Sequence, residues 1–225
     1  GDITQNAVLT VTGTSTFATD TASDILLTQA NDFTGAVSVT TANDVSVTDI
    51  NAIVLGAMTL SGTGNLSVTA TAGAGDITQS GGILTVTGTS TFATDTASDV
   101  LLTQANDFTG AVSVTTANDV SVTDINAIVL GAMTLSGTGN LSVIATAGAG
   151  DITQNAVLTV TGTSTFATDT ASDILLTQAN DFTGAVGITT GNNVSLTDTN
   201  AIVLGQSDVS GTYGVAAGGD ITNTG

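Results

Sequence analysis

The chain contains no lysine, arginine, histidine, cysteine, proline, tryptophan or glutamate. Its charge comes from 19 aspartates, for a formal net charge of −19. A surface with no cationic side chain cannot neutralise phosphates, which argues against nucleic acid and anionic membrane as partners. Cations and basic surfaces suit it better. Without Lys or Arg there is no trypsin site, as fits a protein exposed outside a cell. The lack of cysteine removes disulfides and leaves the compartment open. Neither a signal peptide nor an apolar run of about 18 residues is present, so no membrane insertion is expected in this segment.

What the chain has is self-similarity. GDITQ begins at Gly1, Gly75 and Gly150, and GDIT returns at Gly219, giving intervals of 74, 75 and 69 by subtraction. Between Leu9–Gln79 and Leu84–Gln154 only Ile25/Val100 and Thr69/Ile144 differ. With 41% hydrophobic residues and no block of like charge, the chain is expected to fold. Copies this short bury their apolar faces by stacking on their neighbours, so the chain reads as one continuous solenoid cut from a longer array. Its units are repeat 1 (1–74), repeat 2 (75–149) and a shortened, divergent repeat 3 (150–225) that runs into the start of the next.

Within a copy, Asp24-Ile25-Leu26-Leu27-Thr28, Asp44-Val45-Ser46-Val47-Thr48 and Asn65-Leu66-Ser67-Val68-Thr69 share one pattern. Apolar residues alternate with Ser and Thr at period two between Gly, Asn and Asp turns, which is strand chemistry. Successive starts are 20, 21 and 34 residues apart, from Asp24 to Asp44, Asn65 and Asp99. The fold class expected is all-β, a parallel β-helix or solenoid with about three coils per repeat, each coil advancing the axis by roughly 4.8 Å. The missing proline fits, because every interior strand amide must donate to the ladder. Two excesses of length, around Gly13 to Asp20 and Ala72 to Gly81, predict a protrusion every third coil, with Phe17, Phe92 and Phe166 in a loop that covers one end of the core.

An enzyme would have to be built from Asp, Ser, Thr, Asn and one Tyr, with no cationic group to activate a nucleophile or steady an oxyanion, so no catalysis is expected. The rank Asp24, Asp44, Asn65, Asp99, Asp119, Asn140, Asp173, Asn193 is predicted to stack in register along the rod. Carboxylates one coil apart repel, and oxygen-only ligands suit calcium, which makes Asp24, Asp44, Asp99, Asp119 and Asp173 candidates for weak calcium binding. The alternative is that they cap turns by accepting backbone N–H bonds, and this is favoured because neither the EF-hand spacing nor a Gly-Gly-x-Gly-x-Asp nonapeptide is present. Thr10, Thr12, Ser38, Thr40, Thr59, Ser61, Thr85 and Thr87 are expected to form two ranks of a polar outer face. Leu26, Leu101 and Leu175 fall on outward positions and Ile144 replaces Thr69 on another, with cover by the long loop expected.

GNLSVTATAGAGDITQ and NDFTGAVSVTTANDVSV resemble the β-solenoid stems of large bacterial exoproteins, of the filamentous-haemagglutinin and autotransporter-passenger types. The resemblance covers the whole chain and is one of composition and period. It implies a right-handed parallel β-helix, secreted across an outer membrane to the cell surface or beyond, serving as an adhesin, filament or stalk. Near-identity of the copies points to a uniform structural fibre, with self-association end to end or side by side and a cell-surface or matrix ligand as partners. The alternative function is a calcium-dependent module or, because flat Thr arrays on solenoids resemble ice-binding proteins, an ice-binding one on the same scaffold.

Overall fold

Strands that alternate Val, Ile or Leu with Ser or Thr have one face for a core and one for water, and a single strand can close neither. In the computed structural model, which describes residues 1–71, 73, 75–146, 148 and 150–224, each such segment pairs in parallel with one about a turn away in the chain. The strands are β1 (Ile3–Thr4), β2 (Thr10–Val11), β3 (Ser15–Ala18), β4 (Ile25–Phe33), β5 (Val37–Ala42) and β6 (Val45–Asp49). There follow β7 (Ile53–Leu60), β8 (Leu66–Ala70), β9 (Ile77–Gln79), β10 (Leu84–Val86), β11 (Ser90–Ala93) and β12 (Val100–Phe108). The series recurs as β13 to β25, from Val112–Ala117 to Ile221–Asn223, with β20 at Ile174–Phe182.

The strands form sheets of 13 and 12 members, and the chain crosses between them at every step. One buried cluster runs between the sheets along the rod, from Ile25 to Ile202. The all-β parallel solenoid expected from the alternation is what forms, with about ten turns. The described residues include no helix long and apolar enough to cross a membrane.

Ile25 pairs with Val45 and Val45 with Leu66, steps of 20 and 21 residues. The third expected step of 34 is not a pairing. Leu66 pairs with Ser90, 24 residues on, and Ser90 with Val112, a further 22. Val100, which opens the next copy, instead pairs with Ile77 in the other sheet. From β4 to β12 the chain crosses seven times, through β5, β6, β7, β8, the β9–β10 pair and β11, so a repeat makes three and a half turns. Its axial advance is about 17 Å at a strand spacing of about 4.8 Å.

The extra half-turn comes from residues expected to form a loop. Ser15–Ala18 and Ser90–Ala93 are strands, and Phe92 and Phe166 are fully buried. Each Phe meets another from the facing sheet edge to face: Phe17 with Phe33 at 6.3 Å, Phe92 with Phe108 at 6.4 Å, and Phe166 with Phe182 at 6.3 Å between ring centroids. These rings therefore fill the core where they were expected to cap it, and each such pair adds about 0.5–1.5 kcal/mol beyond its burial. The Ser-Thr-Phe-Ala segment alternates at period two like the other strands, and its burial of Phe draws it into the stack. In the second excess, β9 continues the ladder and the chain bends at Gly81, whose φ of 90° suits glycine. Ala72 and Ala74, also counted in that excess, lie outside the described residues.

Corners leave no room for side chains. A Cβ on Gly110 would collide with the backbone of Gly88, its counterpart one turn below, so glycines stack where the chain turns most tightly.

Candidate functional site

Aspartate starts many of the strands because its short side chain reaches the next turn. Asp2 Oδ1 accepts the backbone N–H of Asp24 at 3.0 Å, Asp24 Oδ1 that of Asp44 at 3.1 Å, and Asp44 Oδ1 that of Asn65 at 2.8 Å. Asn65 Oδ1 then accepts both the N–H and the hydroxyl of Thr89. A second ladder climbs Asp76, Asp99, Asp119, Asn140 and Thr163, and a third Asp151, Asp173, Asn193 and Thr212. The single rank expected from the sequence is thus three shorter ones, because Asn65 is followed on its corner by Thr89 and not by Asp99.

Within a ladder the like charges are answered by donors. Asn43 and Asn65 give their side-chain amides to Asp24 and Asp44 at 3.0 and 3.1 Å. The backbone N–H of Asn193 holds the exposed Asp173 carboxyl below the usual carboxylate range, against a small desolvation cost and aided by the side chains of Asn192 and Asn193. The calcium candidates Asp24, Asp44 and Asp173 lie on the corner leading into one sheet, and Asp99 and Asp119 on the corner leading into the other. Each commits Oδ1 to a backbone N–H, as turn capping requires. Among the described residues no group of three or more carboxylates converges on one point.

A second polar set lies inside the rod. Asn31, Asn106 and Asn180 are fully buried, as are Asp49 and Asp124, and Asp198 is nearly so. Thr28-Gln29-Ala30 bulges out of β4, shifting its register on β6 between Leu27 and Asn31. The bulge interrupts the ladder, and the Asn31 side chain takes over. Its Nδ2 donates to Leu27 O and Thr48 O at 3.0 Å, while its Oδ1 accepts Leu9 N at 3.0 Å and Gln5 Nε2 at 2.7 Å. A side-chain amide here stands in for a peptide group. Gln79 with Asn106 and Gln154 with Asn180 repeat the arrangement at 2.8 Å.

Asp49 stands opposite Asn31 and accepts Phe33 N at 2.8 Å on Oδ2 and Asn51 N at 3.0 Å on Oδ1. Burial pushes its carboxyl up, the N–H groups of Asn51 and Phe33 pull it down, and Asp32 nearby adds repulsion. The same balance in Asp124, with burial first and then Asn126, Phe108 and Asp107, leaves its carboxyl at about 6. The reading of motifs missed this set. The signal was parity, since Asp49 follows Val45 and Val47 at period two and so points into the core.

The Thr/Ser ranks expected on the outer face do not line up. Thr10 pairs with Asp32, Ser38 with Thr16, and Thr59 with Thr85, which is itself followed by Asp107. Leu175 lies between Thr153 and Ser195 and remains 37% exposed, so no loop covers it, contrary to expectation. Ile144, between Thr123 and Ala167, is exposed to the same extent. A groove of about 480 Å³ opens on the outer face of the third repeat, beside Thr165, Thr189, Gln206 and Asp208. It opens because Gly187 replaces the serine at Ser113, which in the second repeat lies over Gly131.

Outer membrane protein A of Rickettsia rickettsii is 35% identical over 211 residues, an alignment covering 91% of this chain and 9% of that protein. The chain thus spans about a tenth of the length of that relative. No solved structure matches. A family model described as repeats of unknown function matches residues 1–40, 42–115, 117–189 and 191–225, units that, like the half-turns of the rod, follow one another almost without a gap. On that coverage the chain belongs to the DUF5649 repeat family.

Proposed function

We propose that the chain is a segment of a non-enzymatic, cell-surface stem: a stiff rod that sets the distance between an anchor and whatever a longer protein displays. The observation that carries this reading is the uninterrupted parallel ladder from β1 to β25, built on one continuous core. Similarity to a protein named as an outer membrane protein supports a place at the cell surface. The polar groups beside the outer groove are hydroxyls, an amide and a carboxylate, which suit hydration more than acid–base or nucleophilic chemistry. Further copies of the same fold are the partners proposed, stacked in line or bundled side by side.

A stem is tested by its length. Inserting two further repeats should lengthen the rod by about 34 Å, seven strand spacings, as read by negative-stain microscopy. The same insertion should raise a distal tag above a cell surface by a similar amount. A globular particle, or a height that ignores repeat number, would reject the stem.

A further inference from the structure

We propose that the buried carboxylates Asp49 and Asp124 are proton-binding latches that make the rod more stable in mildly acidic surroundings than at neutral pH. Both are 0% exposed, and each carboxylate oxygen accepts one backbone N–H: Phe33 and Asn51 for Asp49, Phe108 and Asn126 for Asp124. The whole chain contains no lysine, arginine or histidine to pair with them. Of the strands packed on Asp124, β12 brings another acid, Asp107, and Leu141–Ala145 sets Ala145 opposite it. Asp49 likewise has Asp32 on β4 and Ala70 on β8. Every charge facing the pair is negative.

A buried carboxylate answered only by two neutral donors favours its protonated form, and Asp124 reaches about 6 from an ordinary 3.8. Asp49 is raised for the same reason, loss of water. Since the folded value lies above the unfolded one, the linked stability is fully present below the unfolded value and is lost as pH rises through the folded one. For Asp124 the window runs from about 4 to about 6. Proteins held by paired carboxylates weaken in that range, whereas this rod should strengthen.

Selective ¹³C labelling of aspartate carboxyls reads the proposal directly, because the chain has no glutamate to overlap its 19 aspartates. We expect a resonance with a midpoint near 6 that is missing from Asp124→Asn. Relief of surface repulsion by acid is separated by working near 1 M NaCl, where the screening length is about 3 Å. There the unfolding constant should still fall between pH 7 and pH 5, by up to about tenfold per pH unit for each proton bound. Aspartates that all titrate below about 4.5, or a rod that weakens over that range at high salt, would overturn it. Both wild-type measurements stand even if Asp124→Asn does not fold.

Discussion

Ile25 and Val100 occupy the same place in successive repeats and lie in opposite sheets of the rod. Ile174, one copy further on, is back in the sheet of Ile25. An odd number of half-turns per repeat has this consequence: whatever a repeat shows on its outer face appears on alternate sides, and only every second copy faces the same way. The exposed leucine at 175 and the bulge of Thr103-Gln104-Ala105 accordingly lie on opposite faces. A partner reading one repeat meets a two-sided rod.

Cysteine pairs test this pairing in a chain that has no cysteine of its own. Ser67 and Thr91 are paired outward positions, so Ser67→Cys with Thr91→Cys should oxidise readily across a gap of about 4.8 Å. Ser67→Cys with Leu101→Cys, the pair that a step of 34 would join, should remain reduced. Cross-linking of the second pair in preference to the first would restore three turns per repeat.

The amide inside the bulge should be costly to remove. Asn106→Leu keeps the volume but strands Leu102 O, Thr123 O and Leu84 N in the core, which the asparagine now satisfies at 3.2, 3.1 and 2.9 Å. At about 1–3 kcal/mol for each unsatisfied group, urea denaturation should show a loss of about 3 kcal/mol or more. The exposed neighbour Thr103→Ala should stay within about 0.5 kcal/mol. Equal effects would mean the clamp holds nothing.

Alternation in Val45-Ser46-Val47 and Leu66-Ser67-Val68 was enough to read parallel strands and two of the steps, because period two has one physical solution when one face must be dry. The third step misled because Ser15-Thr16-Phe17-Ala18 is rich in turn-compatible residues, and only its burial of Phe makes it a strand. The corner ladder was legible as capping chemistry, while its division depended on that hidden half-turn. Asn31 could not be placed, since the bulge before it breaks the parity by which inward residues are recognised.

Phe92 gives the clearest energetic reading of that strand. As a buried ring against Phe108, its replacement by alanine should cost about 3–5 kcal/mol in chemical denaturation. Phe17, only half-buried, should cost less when truncated in the same way. A penalty below about 1 kcal/mol for Phe92→Ala would return the segment to the role of a surface loop.

The corner carboxylates can be caps, cation ligands or both, and two measurements separate these. Asp44 Oδ1 accepts the N–H and the side-chain amide of Asn65, so Asp44→Ala should lower stability by about 1 kcal/mol whether or not divalent ions are present. Asp44→Asn keeps an acceptor oxygen while removing the charge, and should recover most of that loss. If capping is the whole of the role, EDTA leaves the melting temperature of the wild-type rod unchanged, and calcium changes it no more than an equal ionic strength of sodium. A fall with EDTA that Asp44→Asn abolishes would instead assign the ladder of Asp24 and Asp44 to calcium, with Oδ2 of each as the ligand, since Oδ1 is already engaged.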